Sequence, residues 1–201
     1  MTKQEKFNQL IQSAASTKER MFLSAIYLFS TKGFANVGIR ELCRSVKVKE
    51  SAFYNHFASK DDLLVEIFQC FVEISTRDAF LEKELQTIIN TGNIDAYLQE
   101  SIKEFVVCIN NPLYFTILQI INMESYTNPK AYDMVKNNDY ILHTEMVLNR
   151  MMASGFLKKL DACAVSISFY YCLKGLIHDI MLKDVWSEDI QELLDMIQKH
   201  V

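Results

Sequence analysis

Residues that interrupt helices are scarce in this chain. Only five Gly and two Pro occur among its 201 residues, and half of the residues are apolar. A β-sandwich or β-barrel needs turn residues roughly every 8–12 positions, and this sequence does not contain enough of them. The apolar content also excludes a disordered or fibrous chain. We therefore predict an all-α fold made of long helices.

N-cap signals divide the chain into about nine helices. Ser16 followed three residues later by Glu19 is a capping box, which indicates that a helix begins there. Asn111-Pro112 and Asn128-Pro129 each combine an N-cap residue with a proline at the first helical position, so each should also begin a helix. Residues 1–15 are either a frayed arm or an extra helical turn. The predicted helices cover residues 16–32, 39–46, 50–56, 59 to about 92, 93–109, 112–125, 129–154, 161–182 and 187–200.

The five cysteines stand singly in apolar stretches, at positions 43, 70, 108, 163 and 172. They form no CxxC pair and no Cys/His cluster with the spacing of a zinc site, so we predict no metal and no cofactor. The N-terminal sequence is polar and lacks the apolar segment of a signal peptide. Together these features predict a reducing, cytoplasmic setting.

Residues 162–182 are nearly apolar over about the length of a membrane span. Lys174, His178 and Asp179 lie within this segment, and such side chains are costly in lipid. We therefore expect a helix that is buried on two sides, and no membrane partner.

Charge is distributed unevenly along the sequence. Residues 1–60 contain ten Lys and Arg and four Glu, a net charge of +6, whereas residues 61–201 contain eleven Lys and Arg and twenty-one Asp and Glu, a net charge of −10. A basic first third on an acidic body is typical of a protein whose N-terminal part binds a polyanion. The alternative is a fluctuation of charge on solvated helix faces.

Three short predicted helices within residues 16–57 match a helix-turn-helix, since a tight turn joins the last two. In this motif the second helix lies over the phosphates and the third enters the major groove. Phe53 and Phe57 are spaced i, i+4 on the third helix and should fix it to the core. Residues 49–52, Tyr54 and Asn55 then face outward.

The stretch from Ala25 to Ile67 resembles the N-terminal domain of the TetR family of bacterial repressors. Lys-Gly-Phe, Ile-Arg-Glu-Leu, Phe-Tyr-Asn-His-Phe and Ser-Lys-Asp-Asp-Leu-Leu occur in it at the family's spacings. The remainder of the chain matches only in length, helicity and the late apolar helix. The resemblance implies a helix-turn-helix DNA-binding domain over residues 1–60, with its core at 16–60, and a helical effector-binding and dimerisation domain over 61–201.

The resemblance also implies which residues contact double-stranded DNA. The positions that contact the phosphate backbone correspond to Tyr54, His56 and Lys60, and Gly38 and Arg40 are further phosphate candidates. The base-facing positions correspond to Lys49, Glu50, Ser51, Ala52 and Asn55. Among these residue types, Asn pairs with adenine, Lys with guanine, and Glu accepts a hydrogen bond from cytosine N4.

The sequence departs from the family pattern at four positions in this region. Gly38 replaces the Ser or Thr that often caps the second helix, which leaves only its backbone N–H for a phosphate. Lys47 occupies a turn position where Gly is common, which should cost backbone strain. Lys49 replaces the usual Ser cap of the third helix, and Ser51 replaces the usual Gly. The operator sequence therefore does not follow by analogy.

Residues 61–201 contain no catalytic motif. GxSxG, P-loop and GxGxxG sequences are absent, so we predict that the chain is not an enzyme. The helices between residues 93 and 155 are instead rich in aromatic residues and Met, which are usual core residues. In TetR relatives the equivalent helices enclose an apolar pocket, which implies a small hydrophobic effector. The candidate effector-binding residues are Tyr97, Phe105, Tyr114, Phe115, Asn122, Met123, Tyr126 and His143.

The predicted helix 161–182 is apolar on nearly every face, so a second surface should cover it. By resemblance, this helix and 187–200 form a four-helix interface with a second copy of the chain. A two-fold dimer presents two recognition helices about 34 Å apart to a pseudo-palindromic operator. The candidate interface residues are Tyr171, Gly175, Ile190 and Leu194.

These features predict a homodimeric, ligand-responsive transcriptional regulator, specifically a repressor. Effector binding would shift the helix that begins at Ser59 and lower the affinity for the operator. An alternative is a small-molecule binding or carrier protein with a vestigial helix-turn-helix, which Glu50 and the missing caps favour. A helical enzyme is a third class, but no constellation of residues supports it.

Overall fold

The computed structural model describes residues 3–77, 90–136 and 139–183, and these residues contain helices and turns but no strand. The fold is therefore all-α, as predicted. A 3₁₀ turn at Phe34–Asn36 follows the second helix. The ten α-helices are α1 (Lys3–Ser13), α2 (Thr17–Lys32), α3 (Ile39–Ser45), α4 (Glu50–Tyr54), α5 (Lys60–Arg77), α6 (Ile94–Asn110), α7 (Pro112–Glu124), α8 (Pro129–Lys136), α9 (Asp139–Ala153) and α10 (Ala162–Lys183). The predicted helix 187–200 lies outside the described residues.

The predicted caps begin the helices where expected. The Ser16 hydroxyl accepts a hydrogen bond from the Glu19 amide at 3.1 Å. The Asn111 carboxamide accepts from two amides of the first turn of α7, with Pro112 at the first helical position. Asp161 likewise caps α10 by accepting from the Ala164 amide at 3.0 Å.

The structure decides between the two alternatives for the N-terminal residues. Residues 3–13 form the helix α1, and the buried Phe7 ring packs 5.8 Å from the Tyr27 ring. Within the predicted helix 129–154 the structure describes α8 and α9, and residues 137–138 lie outside the described residues.

The first compact unit comprises residues 1–77 and 111–136. Within it, α7 packs against both α2 and α5, and its buried face carries Phe115, Ile117, Ile120 and Ile121. The core of this unit also receives the buried side chains Met21, Ile26, Phe29, Leu42, Phe53, Leu63 and Ile67. The helix-turn-helix therefore shares one core with α7, although the sequence-based domain boundary stands at residue 60.

The second compact unit comprises residues 78–110 and 137–201, of which the structure describes α6, α9 and α10. The buried Tyr97 packs with Val147 and Met151, and its hydroxyl donates to Thr144 Oγ1 at 3.2 Å. Gly92 has φ +65°, and a Cβ at this position would lie 2.2 Å from the Phe156 ring. Only glycine fits this close approach without displacing the ring.

Candidate nucleic-acid interface

The helix-turn-helix is fixed to the core by one aromatic side chain of α4 and one from the turn that follows it. Phe53 and Phe57 are both buried, and their ring centroids lie 5.4 Å apart. Because α4 has only five residues, the burial of Phe53 means that one side of the helix packs against the core. Tyr54 and Asn55 are consequently exposed, with Tyr54 61% accessible. The predicted outward orientation is confirmed for Tyr54 and Asn55, whereas Ala52, also predicted to face outward, is half-buried against the core.

The turn between α3 and α4 contains the strained residue that the sequence predicts. Lys47 has φ +59°, and it is the one non-glycine residue with positive φ in the described part of the chain. Its amide donates to the Arg44 carbonyl at 3.1 Å, and the Val48 amide donates to the Cys43 carbonyl at 2.9 Å. These two bonds form a Schellman motif, in which the left-handed position is usually glycine.

An ion pair links the two helices of the motif on their exposed side. Arg40 Nε donates to Glu50 Oε1 at 2.7 Å, and both side chains remain largely exposed. The carboxylate of Glu50 raises the pKa of the Arg40 guanidinium through this hydrogen bond and through its charge. Burial raises the pKa of the neighbouring Cys43 thiol, with a smaller contribution from Glu50 in the same direction.

Three further cationic side chains, Arg44, Lys47 and Lys49, lie around this ion pair. An open recess of about 560 Å³ is lined by Arg40, Cys43, Arg44, Lys47, Val48, Lys49 and Glu50. Its four cations and single carboxylate make it a favourable surface for a phosphate backbone. Arg44 and Lys47 were not among the predicted contacts. Arg44 follows Arg40 by four residues, a spacing readable in the sequence that places both on one face of α3, whereas Lys47 lies in the turn after the helix.

Lys60 is folded back onto the protein rather than extended into solvent. Its ammonium donates to the carbonyls of Phe34 at 2.8 Å and Val37 at 3.0 Å, and it lies 4.2 Å from the Phe34 ring centroid. Two of its three N–H donors are therefore used within the protein. Lys60 holds the turn before α3, and its predicted phosphate contact stays a prediction.

The remaining predicted DNA contacts lie on the exposed side of the motif. Gly38 is the N-cap residue of α3 without a side-chain cap, and Lys49 is the N-cap residue of α4, also without one. Ser51 and His56 are exposed, and Ala52 is half-buried against the core. These positions, with Tyr54, Asn55 and the ion pair, form what we call the outer surface of the motif.

The candidate effector residues fall in both compact units. In the first unit, Phe115 is buried, and Tyr114 stacks on Phe71 with ring centroids 4.7 Å apart. The Asn122 amide is half-buried and donates to the Leu118 carbonyl. Met123 and Tyr126 are exposed there, Tyr126 by 91%.

In the second unit, Tyr97 is buried and His143 is half-buried. Burial lowers the pKa of His143, and the charge of Arg150 lowers it further. The side chain of Phe105 lies outside the described residues.

The candidate dimer residues are described only in α10. Tyr171 and Gly175 are exposed, and Val165 and Ile167 on the same helix are also exposed by at least 40%. The expected burial of α10 on two sides is therefore not present within one chain. Ile190 and Leu194 lie outside the described residues.

The described ranges contain neither a metal-binding cluster nor a helix that could span a membrane. Over residues 3–77, 90–136 and 139–183, no group of three or more His, Cys, Asp or Glu side chains is placed to hold a metal ion. None of the described helices, α10 included, combines the length and apolar content of a bilayer-spanning segment.

Known proteins share the sequence of the helix-turn-helix and the fold of the chain. Residues 23–67 match the family model described as bacterial regulatory proteins, tetR family. The regulator YerO of Bacillus subtilis is 38% identical over 58 residues, which span 29% of this chain and 20% of YerO. IcaR, a negative transcriptional regulator of a biofilm operon in Staphylococcus aureus, is 24% identical over 131 residues, which span 64% of this chain and 67% of IcaR.

A solved structure extends the similarity to the whole fold. The ketosteroid transcriptional regulator KstR2 of Mycobacterium tuberculosis superposes with a TM-score of 0.62 at 16% identity, over 83% of this chain and 84% of that chain. These relatives are regulators rather than enzymes, in agreement with the prediction that this chain is not an enzyme. Together these comparisons show that residues 23–67 match the tetR family of bacterial regulatory proteins and that the chain shares its fold with a known transcriptional regulator.

Proposed function

We propose that the protein is a homodimeric repressor that binds double-stranded operator DNA and is released from it by a small hydrophobic effector. The observation that carries this proposal is the outer surface of the helix-turn-helix, where Tyr54 and Asn55 are exposed because Phe53 and Phe57 anchor α4. The relative IcaR is a negative transcriptional regulator, which supports repression over activation.

The charge of the N-terminal part supports DNA as the partner. Residues 1–60 carry a net charge of +6, and the recess beside α4 contains four cationic side chains. Each phosphate that such side chains neutralise releases counterions, so the affinity should fall steeply as salt increases. The DNA-binding domain is assigned to residues 1–60, and a bacterial DNA-binding regulator is expected in the cytoplasm.

The test is binding of the full chain to duplex DNA from the region upstream of its own gene, measured by fluorescence anisotropy at 50 and 200 mM salt. Tyr54→Ala should weaken binding about tenfold for every sequence, since one phosphate contact is lost. Tyr132→Ala is the matched control, because it removes a tyrosine of the same unit that is 50% exposed, close to the 61% of Tyr54. Absence of any wild-type binding at 50 mM salt would favour the alternative, a carrier protein with a vestigial helix-turn-helix.

The homodimer is supported by the open face of α10. Ile167, Tyr171 and Gly175 follow one another at four-residue spacing on one face of α10. Ile167 and Tyr171 expose 40% and 58% of their surface in the single chain, and Gly175 would allow close approach of a second helix. Tyr171→Glu should produce monomers in light scattering at micromolar concentration. Leu142→Glu, which changes an equally exposed apolar residue on α9, should leave the dimer intact. If the wild type is monomeric at 100 μM, the dimer proposal is wrong.

The effector is proposed from the apolar and aromatic side chains of residues 61–201. Tyr97, Phe115 and Tyr114 are buried or half-buried and carry apolar surface with few polar groups, as hydrophobic ligands require. A library of sterols, fatty acids and aromatic compounds should contain one that raises the melting temperature and releases DNA. A compound that stabilises the protein without releasing DNA would contradict coupling between the two events.

A further inference from the structure

The ion pair between Arg40 and Glu50 places an acidic side chain on a surface that is otherwise basic. Glu50 is the first residue of α4 and remains 49% exposed, while Arg40, in the first turn of α3, remains 77% exposed. A carboxylate beside a phosphate backbone is repelled, so an isolated Glu here would weaken DNA binding. Its pairing with a cation offsets that repulsion and fixes the position of the carboxylate.

The geometry of the pair leaves polar groups available on both partners. Arg40 bonds through Nε at 2.7 Å, and the structure assigns Glu50 Oε2 no hydrogen-bond partner among the described residues. The two terminal nitrogens of the guanidinium carry four further N–H donors. The pair therefore presents one acceptor, held in place, next to several donors.

An exposed carboxylate acceptor in the major groove distinguishes base pairs. Cytosine presents its N4 amino group there, and Glu is the residue type that accepts from it, whereas guanine presents only acceptors. We propose that Glu50 selects a cytosine in each operator half-site and that Arg40 is the positioning residue that holds its carboxylate. This inference rests on the proposed DNA binding. A neutral Gln at position 50 would instead match the donor and acceptor pattern of adenine.

Two further features of the surface agree with this assignment. Lys47 and Lys49 flank the pair in the same recess and supply cations for the adjacent phosphates. Tyr54 lies on the same short helix one turn after Glu50, so the proposed backbone contact and the proposed base contact share a rigid element. Removing Arg40 should therefore change sequence preference as well as general affinity.

The experiment is selection of duplexes from a randomised library by the full-length protein, followed by sequencing and by affinity measurement on single-base variants. Wild-type protein should select cytosine at one pair of symmetric positions. Glu50→Ala should reduce that preference about tenfold and leave the other positions unchanged. Glu50→Gln should shift the preference at the same positions to adenine.

Arg40→Met distinguishes positioning from a phosphate contact alone. It should lower the cytosine preference severalfold in the wild-type background and should not change it further when combined with Glu50→Ala. Glu66→Gln is the matched control, because it breaks another exposed inter-helix ion pair, between Lys18 and Glu66, without touching α4.

Two results would overturn the inference while leaving the proposed function in place. If Glu50→Ala retains the full base preference at every position, Glu50 does not read a base. If Arg40→Met lowers affinity equally for all sequences, Arg40 is not a positioning residue. Failure of the wild type to select any sequence at 50 mM salt would instead refute the proposed DNA binding itself.

Discussion

Replacing Lys47 with glycine should stabilise the protein. Lys47 has φ +59° at the left-handed position of the Schellman motif that ends α3. A side chain in this conformation costs about 1–2 kcal/mol relative to glycine. Glycine in turn gives the unfolded chain extra entropy, which costs about 0.4–1 kcal/mol. We therefore expect a net gain of about 0.5–1 kcal/mol, or about 1–4 °C in melting temperature for a chain of this length.

The measurement is urea unfolding followed by circular dichroism, with Lys47→Ala as the matched control. Lys47→Ala removes the same charge and the same side-chain length but keeps Cβ, so it retains the backbone strain. The difference between the two variants isolates that strain from any electrostatic effect of losing a cation in the basic recess. Equal stability of Lys47→Gly and Lys47→Ala would refute the reasoning.

Three further predictions concern stability. Lys60→Met should destabilise the protein by about 1–2 kcal/mol in urea unfolding, since two carbonyls lose a charged donor. The control, Lys49→Met, changes an exposed lysine and should alter stability by less than about 0.5 kcal/mol. Equal losses in the two variants would contradict the structural role of Lys60. Gly92→Ala should lower the melting temperature because a Cβ meets an aromatic ring at 2.2 Å, whereas Gly38→Ala, where nothing lies within 4 Å, should not. The lowered pKa of His143 means that the folded state binds fewer protons than the unfolded state, so stability should fall as the pH drops below the ordinary histidine pKa of about 6.5. Unfolding at pH 7.5 and pH 5.5 should show a smaller loss in His143→Gln, and an identical loss would contradict this.

Local signals in the sequence were sufficient for most helix boundaries and for the orientation of the recognition helix. An N-cap such as Ser16 or Asn111 acts within three residues, so its pattern is readable without tertiary structure. The same holds for Phe53 and Phe57, because their i, i+4 spacing alone predicts that both face the core, although α4 itself ends at Tyr54. Lys47 was identified for a related reason, since the turn requires a left-handed residue whichever side chain is present.

The partners of long charged side chains were not predictable in this way. Arg40 and Glu50 are ten residues apart, and Lys60 reaches carbonyls that are 23 and 26 residues away. These bonds depend on how α3, α4 and α5 pack and on flexible side chains that reach several positions, neither of which is encoded in a local pattern. The sequence therefore predicts DNA phosphate contacts for Lys60 and Arg40, but it does not identify the protein groups that these side chains bind.

The turn at residues 34–37 shows why the boundary drawn at residue 60 does not separate two packing units. The Phe34 amide donates to the Glu124 carboxylate at 3.2 Å, and the Phe34 carbonyl accepts from Lys60 at 2.8 Å. Both polar groups of one peptide residue are thus held by charged side chains, one from the end of α7 and one from the start of α5. Because this turn leads directly into Gly38 and α3, any movement of α7 relative to α5 must strain or break one of these bonds. The turn that leads into α3 is therefore held by two helices. One is α5, whose first residue Lys60 lies within the matched residues 23–67, and the other is α7, which begins after a further 44 residues of sequence.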